Sequence, residues 1–462
     1  MKIVPSLAIS AALFATYTIP AQAQTLNVIY NFAPATYADA SSGGWGFTNV
    51  DGAHPYCRPA LSGGTLYGTT QVGGNGSGTI FAVNTNGTGY TVLHTFVDSA
   101  GSCPYAGLSL SGNKLYGTTP GGGGIVFSMN TDGTGFSVLH SGGSLMAEVT
   151  LAGNTLYGTT QGDVFSVNTD GSGYAEIHSF SEASYNTSLK LYTNWDGSDS
   201  WGSVVLSSNV LYGTAGYAGP NGCGTIFAVN ADGSGFTVLH AFAGGADGAT
   251  PLCGLVMVGN VLFGTTYYGG AAGQGTVFSM NTDGSGYTVL HNFGGSPDGA
   301  NPRENMTFAG GMLYGTTLNG GTGAGAIFAI STNGSSFTVL SALNCNTDGN
   351  APQGGLAMSG NTFYATASYG GTNGSGTVFS LKLPVPAIAG LAIQGANLIV
   401  NTTNGMAGGA YTVVTSADYS LPLSQWTPLA SGIFNTNGNS TLTATNSVNP
   451  SAKQGFYALR LK

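Results

Sequence analysis

The sequence predicts an all-β fold: a seven-bladed β-propeller closed by its N-terminal strand, followed by a small β-sandwich. The first observation is a short phrase, Leu-Tyr-Gly-Thr-Thr at residues 66–70, which recurs with small changes to give seven copies. Its aromatic position falls at residues 67, 116, 157, 212, 263, 314 and 364, so the steps are 49, 41, 55, 51, 51 and 50 residues. A tandem period of this size, made of strand-like segments, is typical of propeller blades and close to the kelch length.

The second observation is that each repeat divides into short apolar or β-branched runs separated by turn residues. In the fifth copy the runs lie at residues 254–258, 261–266, 275–280 and 287–293. An Asp-Gly pair precedes the fourth run, and Asp-Gly or Asn-Gly recurs at that point in five other repeats. These pairs supply the positive φ angles of tight hairpins at low steric cost. Four runs per repeat predict a four-stranded blade.

The third observation concerns the two ends of the repeat region. The seventh repeat has no fourth run, because the chain passes from residues 376–381 to Pro-Val-Pro at 384–386. Residues 26–32 match the fourth runs at 90–96 and 236–242, with Tyr30 in the place of a histidine. Exposed sheet edges are what all-β proteins must hide, so we expect this N-terminal strand to complete the seventh blade and close the ring.

The termini predict two further parts of the chain. A basic start, an apolar stretch over residues 3–19 and Ala-Gln-Ala at 21–23 are typical of a secretory signal peptide cleaved near Ala23. After the proline-containing joint, short strand-like runs with Asn-Gly turns predict a small β-sandwich. We therefore expect a signal peptide over 1–23, the propeller over 24–383 and the sandwich module over 388–462, the last serving attachment or spacing.

Charge and hydropathy exclude several classes of partner. The net charge is −9 with only nine Lys and Arg residues, and nucleic-acid binding needs a basic footprint. No segment after the leader is long and apolar enough to span a membrane. We expect a monomeric protein that is secreted or held at the cell surface. Export permits disulfides among the five cysteines without requiring them, and their odd number leaves at least one unpaired within the chain.

The histidines do not predict a metal site. Five of the six occupy one repeat position on the fourth run: His94, His140, His178, His240 and His291. Equivalent outer positions are spread around a ring and cannot converge on one ion. We expect each imidazole to be partly buried and hydrogen-bonded, and we expect no metal and no cofactor.

Catalysis would need residues that break the repeat, because repeated positions cannot supply one asymmetric site. Glu148 and Glu304 fall on or beside the first strands of the third and sixth repeats, and they are the catalytic candidates. A glycosidase needs two such carboxyl groups at a set separation. No nucleophile elbow, zinc spacing, phosphate loop or nucleotide fingerprint occurs. Since acidic residues are usually solvated, the sequence leaves catalysis uncertain and favours binding.

Two long loops with many aromatic residues, at 33–58 and 181–202, hold the candidates for ligand binding. Aromatic faces stack on sugar rings or peptides at low entropic cost. An alternative is that the loops fold down as lids over the mouth of the ring. The candidate ligand-binding residues are Trp45, His54, Tyr56, Tyr192, Trp195 and Trp201.

Several elements recur in fixed order over residues 26–381: Leu-Tyr-Gly-Thr-Thr, Gly-Gly, Gly-Thr-Val-Phe, Asp-Gly and Val-Leu-His-x-Phe. They resemble the GloVer tandem repeat, or choice-of-anchor, family of bacterial secreted proteins. The resemblance implies an exported bacterial protein and brings no reaction or catalytic residue. Our hypothesis is an extracellular binding or surface-interaction module, with a polysaccharide or a cell-surface protein as partner. The alternative is a carbohydrate-active enzyme, a hydrolase or lyase, with its site on the propeller rim.

Overall fold

The computed structural model consists of strands and turns. It describes residues 24–37, 47–98, 101–394, 397–405, 409–416, 421–435, 438–445 and 456–461. The expected signal peptide and Trp45 lie outside these ranges. Within them there is no α-helix, and the helical turns are two short 3₁₀ segments, Gly245–Asp247 and Leu423–Gln425. The prediction of an all-β protein is confirmed.

The chain divides into two compact units, one of which is Gln24–Leu383 and the other of which includes Pro384–Lys462. The described part of the first unit contains seven four-stranded antiparallel sheets, here called sheets 1 to 7 in chain order. Such sheets are consistent with a propeller-like fold. They correspond one to one with the seven sequence repeats.

The first three strands of each sheet follow one another along the chain. The first strands are Ala60–Ser62, Ser109–Ser111, Thr150–Ala152, Val205–Ser207, Val256–Val258, Thr307–Ala309 and Ala357–Ser359. The second strands are Thr65–Thr70, Lys114–Thr119, Thr155–Thr159, Val210–Ala215, Val261–Thr266, Met312–Thr317 and Thr362–Ala367. The third strands are Thr79–Asn84, Ile125–Asn130, Asp163–Asn168, Thr225–Asn230, Thr276–Asn281, Ala326–Ser331 and Thr377–Lys382.

The fourth strands of sheets 1 to 6 are Thr91–Thr95, Ser137–Ser141, Ala175–Ser179, Thr237–Ala241, Thr288–Asn292 and Phe337–Ala342. The fourth strand of sheet 7 is Thr25–Asn31, which pairs antiparallel with Thr377–Lys382. Phe32 follows it and is fully buried, and the Tyr30 ring stacks on Tyr90 at 3.9 Å between centroids. The N-terminal segment therefore contacts both sheet 7 and sheet 1.

Packing across each sheet explains the glycine of the repeated phrase. Gly68 on the second strand pairs with Phe81 on the third, and a Cβ atom at Gly68 would lie 2.5 Å from the Phe81 ring. The same 2.5 Å approach recurs at Gly117, Gly158, Gly213, Gly264 and Gly315. A side chain at these glycines would require the buried phenylalanine ring to shift within a close-packed core. In sheet 7 the pair is Ala365 with Phe379.

The first threonine of the phrase joins one sheet to the next. Thr69 donates a hydrogen bond to the carbonyl of Ala106, which precedes the first strand of sheet 2, at 3.0 Å. Thr366 of sheet 7 donates in the same way to the carbonyl of Cys57, which precedes the first strand of sheet 1, at 2.7 Å. The equivalent bonds run from Thr118 to Ala147, Thr159 to Gly202, Thr214 to Cys253 and Thr316 to Gly354. Thr265 instead contacts the Cys253 thiol.

The repeated histidines lie between neighbouring sheets. The His178 ring stacks on Phe236 of the next repeat at 3.5 Å between centroids, and its Nε2 lies 3.0 Å from the buried carboxyl of Asp196. His240 and His291 make the same contacts with Asp247 and Asp298. Within the described ranges no three His, Cys, Asp or Glu side chains form a metal-binding group, and all five cysteines are thiols.

Three further strands and a hairpin lie outside the seven four-stranded sheets. Thr36–Tyr37, Phe47–Ala53 and Val72–Gly74 form a three-stranded sheet, while Ser184–Asn186 pairs with Leu191–Thr193.

The C-terminal unit contains two three-stranded antiparallel sheets. One comprises Ala387–Gln394, Asn397–Thr403 and Ser440–Ala444, and the other Thr427–Ile433, Ala410–Ser416 and Phe456–Leu461. Leu398 and Val400 of the first share one buried cluster with Tyr411 and Val413 of the second. In the part of the chain that is described, no helix has the length and hydropathy needed to cross a membrane.

Candidate functional site

A cavity lies where the chain enters the first strands of the seven sheets. The residue four positions before each first strand lines it, and we call these seven residues the mouth: Tyr56, Tyr105, Met146, Trp201, Leu252, Arg303 and Gln353. The sequence motifs on either side are repeated from sheet to sheet, whereas the residue type at these seven positions varies. The cavity is therefore asymmetric, as the recognition of one ligand requires.

The next two positions of each repeat follow the mouth, and residues at these positions in repeats 1, 2, 3, 4 and 6 also line the cavity. Most are small because consecutive sheets approach closely there: a Cβ atom at Gly354 would lie 2.1 Å from the Cys57 carbonyl oxygen. At Gly202 it would lie 2.4 Å from the backbone of Cys253. The larger or polar exceptions line the cavity, and we call them the neck: Arg58, Glu148, Ser203, Glu304 and Asn305.

An ion pair crosses the neck between sheets 1 and 3. Arg58 Nη2 lies 2.9 Å from Glu148 Oε1. A Cβ atom at Gly107, just before the first strand of sheet 2, would lie 2.8 Å from Glu148 Oε2, so a side chain there would require the carboxylate to shift. The positive charge of Arg58 and the negative charge of Glu148 therefore compensate each other.

Arg303 has a different environment. Its Cζ lies 5.0 Å from the centroid of the Trp201 ring, the geometry of a cation–π contact, and its Nη1 donates a hydrogen bond to Gln353 Oε1. Within the described ranges Arg303 forms no ion pair with a carboxylate. Trp201 Nε1 is buried and has no hydrogen-bond partner among the described residues. The mouth thus holds a cation whose charge no carboxylate compensates directly.

Tyrosines surround Arg303. Burial raises the pKa of four of them and the positive charge of Arg303 opposes that rise: Tyr56, Tyr105, Tyr217 and Tyr267. Three sheets also carry an exposed tyrosine two residues after the second strand, and we call these the rim: Tyr217, Tyr268 and Tyr369, which are 41%, 51% and 38% exposed. The hydroxyl groups of Tyr56 and Tyr369 are hydrogen-bonded, so the rim is continuous with the mouth.

Glu304 is the second carboxyl group of the neck. Burial raises its pKa from 4.5 to about 8; Arg303 lowers it, Glu148 raises it and Arg58 lowers it, in decreasing order of effect. It makes no hydrogen bond or ion pair within the described ranges. At neutral pH its carboxyl group is therefore mainly protonated.

The dimensions of the cavity limit what can enter. The space between mouth and neck is about 40 Å³, enough for a few water molecules and too small for a sugar ring. Beyond the neck a wider space of about 600 Å³ is lined by Arg58, Glu148, Ser203 and the first strands of sheets 1, 2, 3, 6 and 7. A ligand larger than a few atoms that approaches from the side of the mouth therefore has to lie across it.

The model of the Gloeobacter/Verrucomicrobia repeat matches residues 10–191 and 164–379, which together span most of the chain. The chain belongs to this repeat family. The resemblance seen in the recurring motifs is thereby confirmed. No curated protein matches the chain.

Solved structures with a similar fold include the extracellular domain of BT4673, named as a one component system of B. thetaiotaomicron. That match has a TM-score of 0.52 and 10% identity, and covers 84% of this repeat-family chain and 46% of the other. An oligogalacturonate lyase of Vibrio parahaemolyticus matches with a TM-score of 0.46, 9% identity and coverage of 78% and 97%. At such identities the BT4673 match bears on the fold alone.

The residues expected to bind a ligand fall in different places. Tyr56 and Trp201 line the mouth, and His54 packs against the Tyr369 ring at 4.7 Å between centroids. Trp195 is 56% exposed and contacts His178 and Phe236 on the outer strands. Tyr192 is exposed on the hairpin formed by Ser184–Asn186 and Leu191–Thr193. The structure thus brings together His54, Tyr56 and Trp201, and separates Tyr192 and Trp195 from them.

Both catalytic candidates, Glu148 and Glu304, line the neck. Sequence reasoning missed Tyr105, Arg303 and Gln353, which share the mouth with Tyr56 and Trp201. Alignment of the seven repeats could have identified them. The position four residues before each first strand varies among the seven copies, whereas the motifs around it repeat.

Glu304 predicts how stability depends on pH. Its pKa rises from 4.5 to about 8 on folding, so the folded protein retains a proton that the unfolded chain has lost between these values. The contribution of this group to the free energy of unfolding therefore decreases as pH rises from about 4.5 to about 8. We expect Glu304→Gln to remove that decrease in urea titrations at about pH 5 to 8. An unchanged slope in the variant would contradict this assignment.

Proposed function

We propose that this chain is an exported, seven-bladed, circularly closed propeller that binds carbohydrate at its mouth. Two contacts support closure. Thr366 donates to the Cys57 carbonyl just as the corresponding threonines join consecutive sheets, and Thr25–Asn31 completes sheet 7. A ring with both contacts has no open edge between its first and last blades.

The proposed organisation is a signal peptide over 1–23, the propeller over 24–383 and a sandwich module over 388–462 for attachment or spacing. The protein acts outside the cytoplasm as a monomer. Membership of the Gloeobacter/Verrucomicrobia repeat family fits an extracellular module, and the similar BT4673 structure is named as an extracellular domain. The family and the fold both support this location.

The observation that carries the binding site is the contact of Arg303 with Trp201 inside a mouth that also holds Tyr56, Tyr105 and Gln353. Sugar rings stack on aromatic faces, while guanidinium and amide groups hydrogen-bond to their oxygen atoms. Convergence of a few such groups at one concave surface is typical of ligand sites. The rim tyrosines extend the aromatic surface outwards from it.

The proposal predicts opposite results for two tryptophans. Binding of the mature chain is first measured on a polysaccharide array and then by titration with the best ligand. Trp201→Ala should weaken affinity about tenfold or more, the scale of a lost aromatic contact. Trp195→Ala, the same change at a tryptophan that packs against His178 and Phe236 away from the mouth, should leave affinity unchanged. Loss of binding in the Trp195 variant alone would move the site to the outer loop, and absence of any glycan binding would reject the proposal.

One observation favours the alternative of a carbohydrate-active enzyme. Two carboxyl groups line one neck: Glu148 is paired with Arg58 in a salt bridge, and Glu304 has a pKa raised to about 8, an asymmetry of environment that is typical of a base and an acid. The neck is too narrow for a sugar ring, which favours binding without turnover. New reducing ends released by the wild type, and lost in Glu148→Gln and Glu304→Gln, would support the enzyme instead.

A further inference from the structure

We propose that the mouth is selective for acidic polysaccharides, and that Arg303 receives the carboxylate of a uronic-acid residue. This inference rests on the carbohydrate binding proposed above and adds the chemical class of the ligand. It follows from the placement of charge, the unused donors of Arg303 and the size of the neck.

Positive charge is scarce in this protein and concentrated at the cavity. The chain has nine Lys and Arg residues against eighteen acidic ones, and its three arginines are Arg58, Arg303 and Arg460. Two of these three line one cavity. Arg58 is neutralised by Glu148, whereas Arg303 has no carboxylate partner within the described ranges. An uncompensated, partly buried cation is a site for an anion.

The geometry of Arg303 fits a carboxylate. A guanidinium group has five N–H donors in a planar fork that matches two carboxylate oxygens. Among the described residues, one donor is used by Gln353 and the flat face is used by Trp201. The other donors remain available to a ligand. The Gln353 and Trp201 contacts hold the group in place, so little conformational entropy is lost when an anion binds.

The dimensions of the cavity favour entry of the carboxylate group of a sugar. They do not favour entry of the whole sugar ring. A space of about 40 Å³ admits a group of a few atoms. The ring that bears the carboxylate would remain outside, against the exposed faces of Tyr217, Tyr268 and Tyr369. A polymer can therefore lie across the mouth with one acidic group pointing at Arg303.

Glu304 makes the charge of the site depend on pH. The charged and titratable groups that act on it are Arg303, Glu148 and Arg58, and it acts in turn on the Cys253 thiol. The cavity contains four ionisable side chains. Below about pH 8 their net charge is +1, because the charges of Arg58 and Glu148 cancel, Glu304 is neutral and Arg303 is positive. Ionisation of Glu304 brings the sum to zero. Affinity for an acidic ligand should therefore fall as pH rises through about 8.

The first experiment compares two polymers with the same backbone. The mature chain is titrated with alginate and with carboxyl-reduced alginate, and dextran sulfate is added as a non-carboxylate polyanion. We expect alginate to bind at least about tenfold more tightly than its reduced form. Equal affinity for the two would overturn acid selectivity while leaving carbohydrate binding intact. Equal or tighter binding of dextran sulfate would also overturn it, because it would indicate a general response to polyanions.

The second experiment tests the residues. Arg303→Gln should weaken alginate binding roughly 10- to 100-fold. Lys114→Gln removes the same charge from an exposed strand end and should have no effect. Wild-type affinity should fall between about pH 7 and pH 9, and Glu304→Gln should abolish that fall. A pH profile that is unchanged in Glu304→Gln would overturn the role of this carboxyl group even if Arg303→Gln proved unstable. Binding of neutral glycans alone would reject the inference, and binding of none would reject the carbohydrate function itself.

Discussion

A chain that begins at Ala33 is expected to lose most of its folding stability compared with one that begins at Gln24. The missing segment contains Thr25–Asn31, the fourth strand of sheet 7, and the fully buried Phe32. Loss of a buried phenylalanine alone costs about 3–5 kcal/mol, a large part of the 5–15 kcal/mol that stabilises a typical domain. The strand Thr377–Lys382 would also be left as an exposed edge prone to intermolecular pairing. Urea unfolding and size-exclusion chromatography measure both effects.

The matched control for this truncation is Tyr30→His. The Tyr30 ring stacks on Tyr90 at 3.9 Å, and the repeated histidines stack on the following repeat at similar distances, as His94 does on Phe136 at 3.9 Å. We therefore expect the substituted chain to fold with near wild-type stability. A truncated chain that stays monomeric and unfolds at the same urea concentration as the longer one would contradict the closed ring.

The sheets could be predicted from the sequence because each repeat contains its own turn signals and strand pattern. Asp283 and Gly284 mark the hairpin between the third and fourth strands of sheet 5. Residues 26–32 could be assigned to sheet 7 because they copy the fourth strand of the other repeats while the seventh lacks one. A single short apolar run can belong to a strand or to a helix. Because the same pattern of runs and turns occurs in seven repeats, the assignment to strands is much better supported.

The candidate site could be predicted only in part, because its residues are far apart in the sequence. Arg58 and Glu148 are separated by 90 positions, and the Glu148 carboxylate passes close to Gly107 of a third repeat. Trp195 and Trp201 lie in the same long loop, and the sequence makes both of them candidates for ligand binding. The structure puts Trp201 at the mouth and Trp195 against the outer strands. Aromatic content alone cannot distinguish these positions, since both satisfy the same hydrophobic pattern.

The contact of Gly213 with Phe227, which recurs in five other sheets, is expected to be among the contacts of the repeats that are most sensitive to substitution. Phe227 is fully buried, and its ring contacts Phe180 edge to face at 5.5 Å between centroids. Phe227→Ala should destabilise the protein by about 3–5 kcal/mol, because it removes a buried ring and leaves a cavity. Gly213→Val should cost about 1–3 kcal/mol or more by overpacking, since a Cβ atom there would lie 2.5 Å from the ring.

Sheet 7 supplies the control for this pair, because Ala365 stands there opposite Phe379. Ala365→Gly should cost no more than about 0.5–1 kcal/mol, the backbone entropy of an added glycine. Combining Gly213→Val with Phe227→Leu should cost less than the sum of the two single changes, since the smaller side chain relieves the collision. Urea unfolding of these five variants, Phe227→Ala, Gly213→Val, Phe227→Leu, Ala365→Gly and the double variant, measures the differences. Additive costs in the double variant would show that the Phe227 ring is not the reason for glycine at position 213. The glycine of the repeated motif would then need another physical explanation.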